Sequence, residues 1–199
     1  MVINSQVGGL QAKLAVVGVP DCGKRQILQD WSTRQGQGEI FHELVSEVSV
    51  FRAPFLWKEL PRPGWTMLLE AFTTDGEIPY SAVQEMLLDD VDGIVFVAPV
   101  DSSRAVMIRE SLVGLGQVLA RHRQHLGEIP LVMHYHQAEK MPDFDPKSLD
   151  DFLGVPQGSV PTVVTRSDDG SPLTASLAIL LQKLMNQAES SISVEEQAS

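Results

Sequence analysis

The segment with the most specific chemistry is residues 18–25, which read G-V-P-D-C-G-K-R. It matches the phosphate-binding pattern G-x-x-x-x-G-K-[ST] at every position except the last. In such a loop, glycines let backbone N–H groups wrap around phosphate oxygens, and the next helix points its positive N-terminal end at the anion. The alternative is a glycine-rich strand-to-helix turn without a ligand, but the lysine and the spacing favour phosphate binding. The expected nucleotide contacts in this 18–25 loop are Gly18, Asp21, Cys22, Gly23, Lys24 and Arg25, with Lys24 at the β and γ phosphates.

Arg25 stands where the pattern has a serine or threonine. That hydroxyl normally binds Mg²⁺, and a guanidinium cannot coordinate a cation. The sequence therefore argues against a bound metal at this loop. Two roles for Arg25 remain open: its charge replaces part of the missing ion, or its side chain points to solvent from the first turn of the helix.

Short apolar runs rich in β-branched residues predict the strands that position this loop, at residues 14–17, 94–98, 131–133 and 162–165. Each is typical of a strand buried on both faces of a parallel sheet. Helical spacing of apolar residues follows these runs. The residues that repeat in this way are Ile27, Leu28 and Trp31; Ile108, Leu112, Leu115 and Leu119; and Leu173, Leu177, Leu180 and Leu184. Alternating strands and helices predict an α/β fold with a mostly parallel sheet and helices on both faces.

Two other segments carry local signals. Residues 39–72 contain aromatic and β-branched residues followed by L-P-R-P-G-W, which predicts two strands joined by a Pro/Gly turn and thus one antiparallel edge strand. Residues 142–156 carry three prolines and four aspartates, which predicts a surface excursion with a short helix. We expect a single domain over residues 1–187 and a disordered acidic tail over residues 188–199.

The composition excludes several function classes. A formal net charge of −11 disfavours binding to nucleic acid or anionic lipid, because phosphate groups would repel the chain. One cysteine allows no internal disulfide, and no stretch approaches the length of a membrane span. We therefore expect a cytoplasmic protein without a membrane span and without a nucleic-acid partner.

Histidine and cysteine offer two further candidate sites. His134 and His136 are separated by one residue and would face the same side of a strand, either as half a metal site or as an ordinary pair of strand-end histidines. No nearby cysteine or acidic cluster completes a metal site, which favours the second interpretation. Cys22 is either a thiol whose pKa is lowered by loop amide dipoles or, as we favour, a side chain that fills the loop.

Later segments resemble a known family. F-T-T-D-G-E at residues 72–77 resembles the T-V-P-G-Q start of switch II in bacterial Ras-like small GTPases of the gliding-motility (MglA) type, and V-D-G-I-V-F-V-A and E-I-P-L-V-M-H-Y resemble the next two core strands of that family. The resemblance covers nearly all of residues 13–184. It implies a Ras-like P-loop NTPase fold, GTP or GDP with Mg²⁺ as ligands, and a roadblock (LC7)-type activating protein as partner in cell-polarity and gliding-motility control.

The resemblance also assigns roles to single residues. Gly76 takes the position of the switch II glycine that senses the γ-phosphate, and Glu77 that of the glutamine that orients the attacking water. A carboxylate facing an anionic phosphate is a poor substitute, so hydrolysis should suffer. The base-reading motif N-K-x-D falls on H-Q-A-E, which leaves His136 and Glu139 as candidate nucleotide contacts, and the switch I threonine falls near Val50.

These departures lead to a hypothesis about function. We expect a small G-protein homologue that acts as a regulatory protein-interaction module, binds GTP or GDP weakly or in an altered way, and hydrolyses GTP slowly or not at all: a pseudo-GTPase. The alternative is an active GTP-binding switch that a roadblock-type partner completes. A P-loop kinase of small molecules is a third candidate, against which the antiparallel edge and T-T-D-G-E speak.

Overall fold

The computed structural model describes residues 2–4, 9–34, 39–57, 66–74, 82–155, 158–167 and 173–197. The strands are β1 (Val2–Asn4), β2 (Gly9–Gly18), β3 (Phe41–Val45), β4 (Val48–Trp57), β5 (Thr66–Thr74), β6 (Gly93–Pro99), β7 (Leu131–His136) and β8 (Thr162–Val164). The helices are α1 (Lys24–Arg34), α2 (Ala82–Leu88), α3 (Ala105–Arg121), α4 (Pro146–Leu153) and α5 (Ala175–Gln197), with short 3₁₀ turns at Ser102–Arg104 and Ala138–Lys140.

These strands form one sheet in the order β3-β4-β5-β2-β6-β7-β8, with β1 antiparallel to the first residues of β2. Strand β2 is parallel to both β5 and β6, and β7 and β8 continue the parallel part. Strand β4 is antiparallel to its two neighbours, β3 and β5. A mostly parallel sheet with an antiparallel edge and flanking helices confirms the predicted Ras-like α/β fold.

The core follows the predicted apolar pattern. Every residue of β6 and β7 is buried, as expected for parallel strands covered on both faces. The predicted helix faces are buried as well, since Ile27 and Trp31 of α1 and Leu115 of α3 have no exposed surface. Trp31 also donates its indole N–H to the carbonyl oxygen of Leu173 at 3.1 Å, which connects α1 to the segment before α5.

The sheet edge contains one strand more than the sequence predicted. The antiparallel pair β4 and β5 is confirmed, but β3 was not expected. Strand β3 turns into β4 through Ser46 and Glu47, whose φ angles of 47° and 68° are typical of a tight two-residue hairpin turn. Phe41 and Leu44 of β3 are exposed, so this strand lacks the apolar burial pattern that identifies strands in a sequence. The predicted Pro/Gly turn between β4 and β5 lies outside the described residues.

The C-terminal part confirms one prediction and corrects another. Helix α4 is the predicted short helix, and the Asp145 side chain accepts hydrogen bonds from two backbone N–H groups at its start. Helix α5 continues to Gln197, whereas we expected disorder from residue 188. Its buried stripe Leu181, Leu184 and Ala188 extends past that boundary, so packing rather than composition determines the structure there. The domain boundary at residue 187 stays a prediction.

Membrane-spanning helices were sought across the described ranges of the chain. None of the helices found there combines the length and the apolar character that crossing a bilayer would require.

Two glycines provide a matched test of the packing. Gly18 has φ 145°, and a Cβ there would lie 2.0 Å from the carbonyl oxygen of Val97, whereas a Cβ on Gly116 of α3 would meet nothing within 4 Å. We expect Gly18→Ala to lower the free energy of unfolding by more than about 2 kcal/mol. Gly116→Ala should raise it by about 0.5–1 kcal/mol, because alanine has the higher helix propensity. Urea denaturation measures both, and a Gly18→Ala protein as stable as the wild type would contradict this close approach.

Candidate functional site

The 18–25 loop connects the end of β2 to the start of α1 by a sharp reversal of the backbone. Gly18, Asp21 and Gly23 have φ angles of 145°, 53° and 90°. A Cβ on Gly23 would lie 2.6 Å from Cδ2 of His136, so this glycine is required by the approach of β7. The sequence thus placed both glycines where the backbone needs them, although their contact with phosphate stays a prediction.

Lys24 is the first residue of α1, and its side chain is turned back into the loop. It is only 5% exposed. Its Nζ donates to the carbonyl oxygens of Val19 at 2.7 Å and Gly18 at 3.2 Å, and it lies 3.9 Å from the sulfur of Cys22. The Lys24 side chain therefore connects the start of the helix to the first residues of the loop.

Two cavities of different character border Lys24. One, of about 410 Å³, has a mainly apolar lining that includes Val16, Phe72 and Leu87. The other, of about 330 Å³, opens on the loop itself and is lined by Asp21, Cys22, Gly23, Lys24, Arg25, Gln26, Thr74 and Gln137. The second lies at the carboxyl ends of parallel strands beside a helix N-terminus, which is where α/β folds bind phosphate. It is the candidate nucleotide site.

Cys22 lies inside the loop with no exposed surface. Burial raises the pKa of its thiol, and the charge of Lys24 acts in the opposite direction to a smaller extent. The thiol is therefore neutral at physiological pH, which supports the interpretation of Cys22 as a residue that fills the loop.

Arg25 follows Lys24 and is exposed, but it does not simply extend into solvent. Its guanidinium carbon lies 4.7 Å from the centre of the Phe51 ring on β4, a cation–π contact. The Phe51 ring is buried and stacks on His42 of β3, with centroids 4.8 Å apart and an angle of 15° between the planes. Arg25 thus connects the candidate nucleotide site to the edge hairpin, which is formed by β3 and β4.

The described residues do not fit a resident Mg²⁺ ion. Among the residues that line the loop cavity, Asp21 is the only one with a carboxylate. The Thr74 hydroxyl already accepts a hydrogen bond from the Gln84 amide at 2.7 Å, and Val50, near the position of the switch I threonine, is buried in β4. No group of three or more His, Cys, Asp or Glu residues suited to a metal occurs in the parts of the chain that the structure describes. Mg²⁺ at a nucleotide takes most of its oxygen ligands from water and phosphate and only one or two from the protein, and the protein hydroxyl expected at position 25 is replaced by the Arg25 guanidinium.

The H-Q-A-E motif begins at the end of β7. Gln137 has φ 65° and lines the loop cavity, while Glu139 accepts a hydrogen bond from the Ser167 backbone N–H at 3.0 Å. The Ala138 N–H donates to the carbonyl oxygen of Thr165 at 3.1 Å. Glu139 therefore braces the segment after β8, a contact that the expected role in guanine recognition did not include.

A buried chain of hydrogen bonds lies behind this motif. His134 Nε2 and His136 Nδ1 lie 2.7 Å and 3.0 Å from the Thr165 hydroxyl oxygen, and His134 Nδ1 lies 2.9 Å from Ser176 Oγ. One hydroxyl can donate only one proton, so every contact is satisfied when His136 donates to Thr165, Thr165 donates to His134, and His134 donates to Ser176. The Ser176 hydroxyl in turn donates to the Leu173 carbonyl at 3.4 Å.

His134 must be neutral for this chain to form, because its Nε2 accepts from Thr165 while its Nδ1 donates to Ser176. Burial, assisted by the charge of His136, lowers the pKa of His134 to about 3. The pKa of His136 is also lowered, mainly by burial. The pair of strand-end histidines predicted from the sequence is thus part of a buried structural network. Sequence reasoning missed Thr165 and Ser176 as its members, because no spacing in the sequence shows that they meet His134.

Two predicted site residues lie outside the described part of the chain. Gly76 and Glu77 fall between the end of β5 and the start of α2, in the range 75–81. Their roles at the γ-phosphate and at the attacking water stay predictions.

A comparison with known proteins identified a relative of this chain. No protein-family model matches this chain. It is 28% identical over 142 residues to "Mutual gliding-motility protein MglA" of Myxococcus xanthus (strain DK1622), an alignment that covers 69% of this chain and 72% of that protein. The similarity is to MglA, and it is distant. It agrees with the Ras-like topology and indicates a small GTPase-like protein.

The neutral histidine network predicts a pH dependence of stability. The folded pKa of His134, about 3, is below the value of 6.5 for a solvated histidine, so the unfolded chain binds the extra proton as the pH falls below 6.5. From pH 6 to pH 5 this residue should remove about 1 kcal/mol from the free energy of unfolding. His134→Asn should abolish that share of the loss, as measured by urea denaturation at each pH.

The exposed His125 supplies the control for this test, because His125→Asn makes the same substitution without touching the buried network. It should keep the wild-type pH dependence. An unchanged pH dependence in the His134→Asn protein would show that His134 is not the buried neutral group.

Proposed function

We propose that this chain is a small GTPase-like regulator that acts through contact with a partner protein. It keeps a loop that binds nucleotide phosphates but hydrolyses GTP slowly or not at all. One observation carries the proposal: Lys24 is buried inside a loop that matches the phosphate-binding pattern up to its last position, while the residue at that position, Arg25, contacts the Phe51 ring and cannot bind a metal ion.

Phosphate binding is supported by the backbone of the loop and by Lys24. The start of α1 directs N–H groups without helical partners at the cavity, and its dipole favours an anion there. Phosphate oxygens must compete with the carbonyls of Gly18 and Val19 for the Lys24 ammonium. Because of this competition, Lys24 should bind phosphate more weakly than a lysine without carbonyl partners would. The phosphate is still the stronger acceptor of the two, because it is charged.

Slow hydrolysis is supported by the chemistry of two positions. Arg25 replaces the hydroxyl that binds Mg²⁺, and Glu77 replaces the amide that orients the attacking water. An ionised carboxylate accepts hydrogen bonds but donates none, and it repels the γ-phosphate. Both changes remove stabilisation of the transition state and leave the phosphate loop in place.

Base recognition is altered in the same proposal. Glu139, at the position of the guanine-reading aspartate, is hydrogen-bonded to the Ser167 N–H, and His136 packs against Gly23 of the loop. To contact the base, the Glu139 carboxylate would have to give up its hydrogen bond to the Ser167 N–H. Glu139 should therefore discriminate less well between guanine and adenine. We therefore propose GTP or GDP as ligands, with a reduced preference over adenine nucleotides.

The biological setting is proposed from the relative. MglA is named for mutual gliding motility, so a role in motility or cell-polarity control is the corresponding role for this chain. A protein partner, a roadblock (LC7)-type regulator by resemblance, and a cytoplasmic location belong to the same proposal. The chain's net charge of −11 agrees with a protein partner better than with nucleic acid.

An active switch GTPase is the second candidate. The observation that favours it is that His136, at the position of the first residue of N-K-x-D, still packs on Gly23 and connects the base motif to the loop. A partner that rearranges the chain around Gly76 and Glu77 and supplies a donor to the γ-phosphate would then restore hydrolysis.

Titration calorimetry of the nucleotide-stripped protein with GDP, GTP and ATP tests the phosphate loop. Lys24→Met should weaken GDP binding at least about tenfold, because the substitution keeps the length of the side chain but removes a charged donor. Lys147→Ala is the matched control: Lys147 is an exposed lysine in the first turn of α4, so its loss should leave binding unchanged. Failure of the wild type to bind any purine nucleotide would refute the phosphate-binding part of the proposal.

Single-turnover hydrolysis of GTP separates the two candidates. A pseudo-GTPase shows little release of phosphate with or without a roadblock-type protein, whereas an active switch releases phosphate once that partner is added. Rapid hydrolysis by the chain alone, dependent on Mg²⁺ and lost in Lys24→Met, would contradict the pseudo-GTPase.

A further inference from the structure

We propose that the 18–25 loop binds nucleoside diphosphates and triphosphates without Mg²⁺, and that the Arg25 guanidinium, held on the Phe51 ring, supplies positive charge in place of the ion. The inference rests on the proposed function, because it requires a nucleotide at this loop. It adds a specific claim, namely that the affinity does not depend on a divalent cation.

Cationic side chains outnumber the carboxylates among the described residues at the loop. Lys24 lies inside it, Arg25 lines the same cavity, and Arg104 donates from its Nη2 to a backbone carbonyl of the loop. In the described part of the chain, the carboxylate of Asp21 lines this cavity and that of Asp101 interacts with Arg104, so two carboxylates face these three cations. The described residues therefore give the loop an excess of positive charge before any metal binds, although the chain as a whole is acidic.

Arg25 is held in place by an aromatic contact. A long exposed side chain loses rotamer entropy when it binds a ligand, and that cost weakens binding. The contact with Phe51 restricts the Arg25 side chain before any ligand binds and so reduces the entropy lost on binding. The ring can do this because it is buried in β4 and stacks on His42. Arg25 is thus ordered beside the loop cavity by contacts that do not involve a ligand.

A guanidinium can contact an aromatic ring and donate hydrogen bonds at the same time. When its face lies on a ring, its five N–H groups point outward in its plane. A contact with the Phe51 ring is therefore compatible with simultaneous hydrogen bonds to phosphate oxygens. Lysine could not do this in the same way, because it lacks the flat delocalised group.

A metal ion fits this loop poorly. The hydroxyl that would bind Mg²⁺ is absent at position 25. A guanidinium beside the phosphates would also repel a divalent cation and neutralise part of the same phosphate charge. Arg25 therefore disfavours Mg²⁺ at this loop and takes over part of its electrostatic role.

The experiment is a titration of the nucleotide-stripped protein with GDP, in millimolar Mg²⁺ and again in EDTA. The wild-type Kd should differ by less than about threefold between the two buffers. In EDTA, Arg25→Ser should weaken GDP binding about tenfold, since a charge-assisted hydrogen bond is lost. Phe51→Leu should weaken it about threefold, because the aliphatic residue fills space without a ring face for Arg25.

Arg109→Ser is the matched control. Arg109 is an exposed arginine on α3 whose guanidinium lies 5.6 Å from the centre of the Phe152 ring, so the variant removes the same charge and the same kind of contact away from the loop. It should bind GDP as the wild type does. Arg25 and Arg109 are both exposed, so both variants should fold, and thermal unfolding verifies this.

The outcomes separate this inference from the proposed function. A wild-type affinity that falls tenfold or more in EDTA would overturn metal independence and leave the phosphate loop intact. Equal GDP affinities of Arg25→Ser and Arg109→Ser in EDTA would overturn the role of Arg25. Absence of GDP binding in both buffers would overturn the inference together with the phosphate-binding part of the proposed function.

Discussion

The backbone of the 18–25 loop approaches the ends of β6 and β7 more closely than any side chain would permit. A Cβ on Gly18 would fall 2.0 Å from the Val97 carbonyl oxygen, and one on Gly23 would fall 2.6 Å from the His136 ring. These two approaches fix where α1 begins and so place Lys24 inside the loop. The loop cavity and the cation–π contact of Arg25 depend on this position, because both lie at the start of α1.

The support for that position comes from behind the loop. His136 presents one edge of its ring to Gly23 and connects through Thr165 to His134 and Ser176. A chain of neutral donors and acceptors in a buried location is strong only when every member is satisfied, so β7, the end of β8 and the start of α5 are held in one arrangement. The H-Q-A-E segment at residues 136–139 thus has a mechanical role, since Glu139 braces the segment after β8.

More of the fold than of the candidate site could be predicted from the sequence. Continuous apolar runs identified β6 and β7, because a strand that is buried on both faces has apolar residues at successive positions instead of alternating ones. Exposed Phe41 and Leu44 gave no such signal for β3, and its two-residue turn at Ser46 and Glu47 lacks the glycine that usually marks a hairpin. At the site, spacing alone located the glycines and Lys24. It could not show where Arg25 points, because a cation–π contact joins residues that are distant in the sequence and leaves no periodic trace.

The exchange of a hydroxyl for a guanidinium at position 25 has consequences at two levels. Locally, it removes a hydroxyl that could bind a divalent ion and places a guanidinium beside the loop cavity. Beyond the loop, it creates a contact between α1 and β4, because the same side chain packs on Phe51, which stacks on His42 of β3. The position at which this chain departs from the phosphate-binding pattern is therefore also the point at which the candidate site is joined to the exposed edge of the sheet.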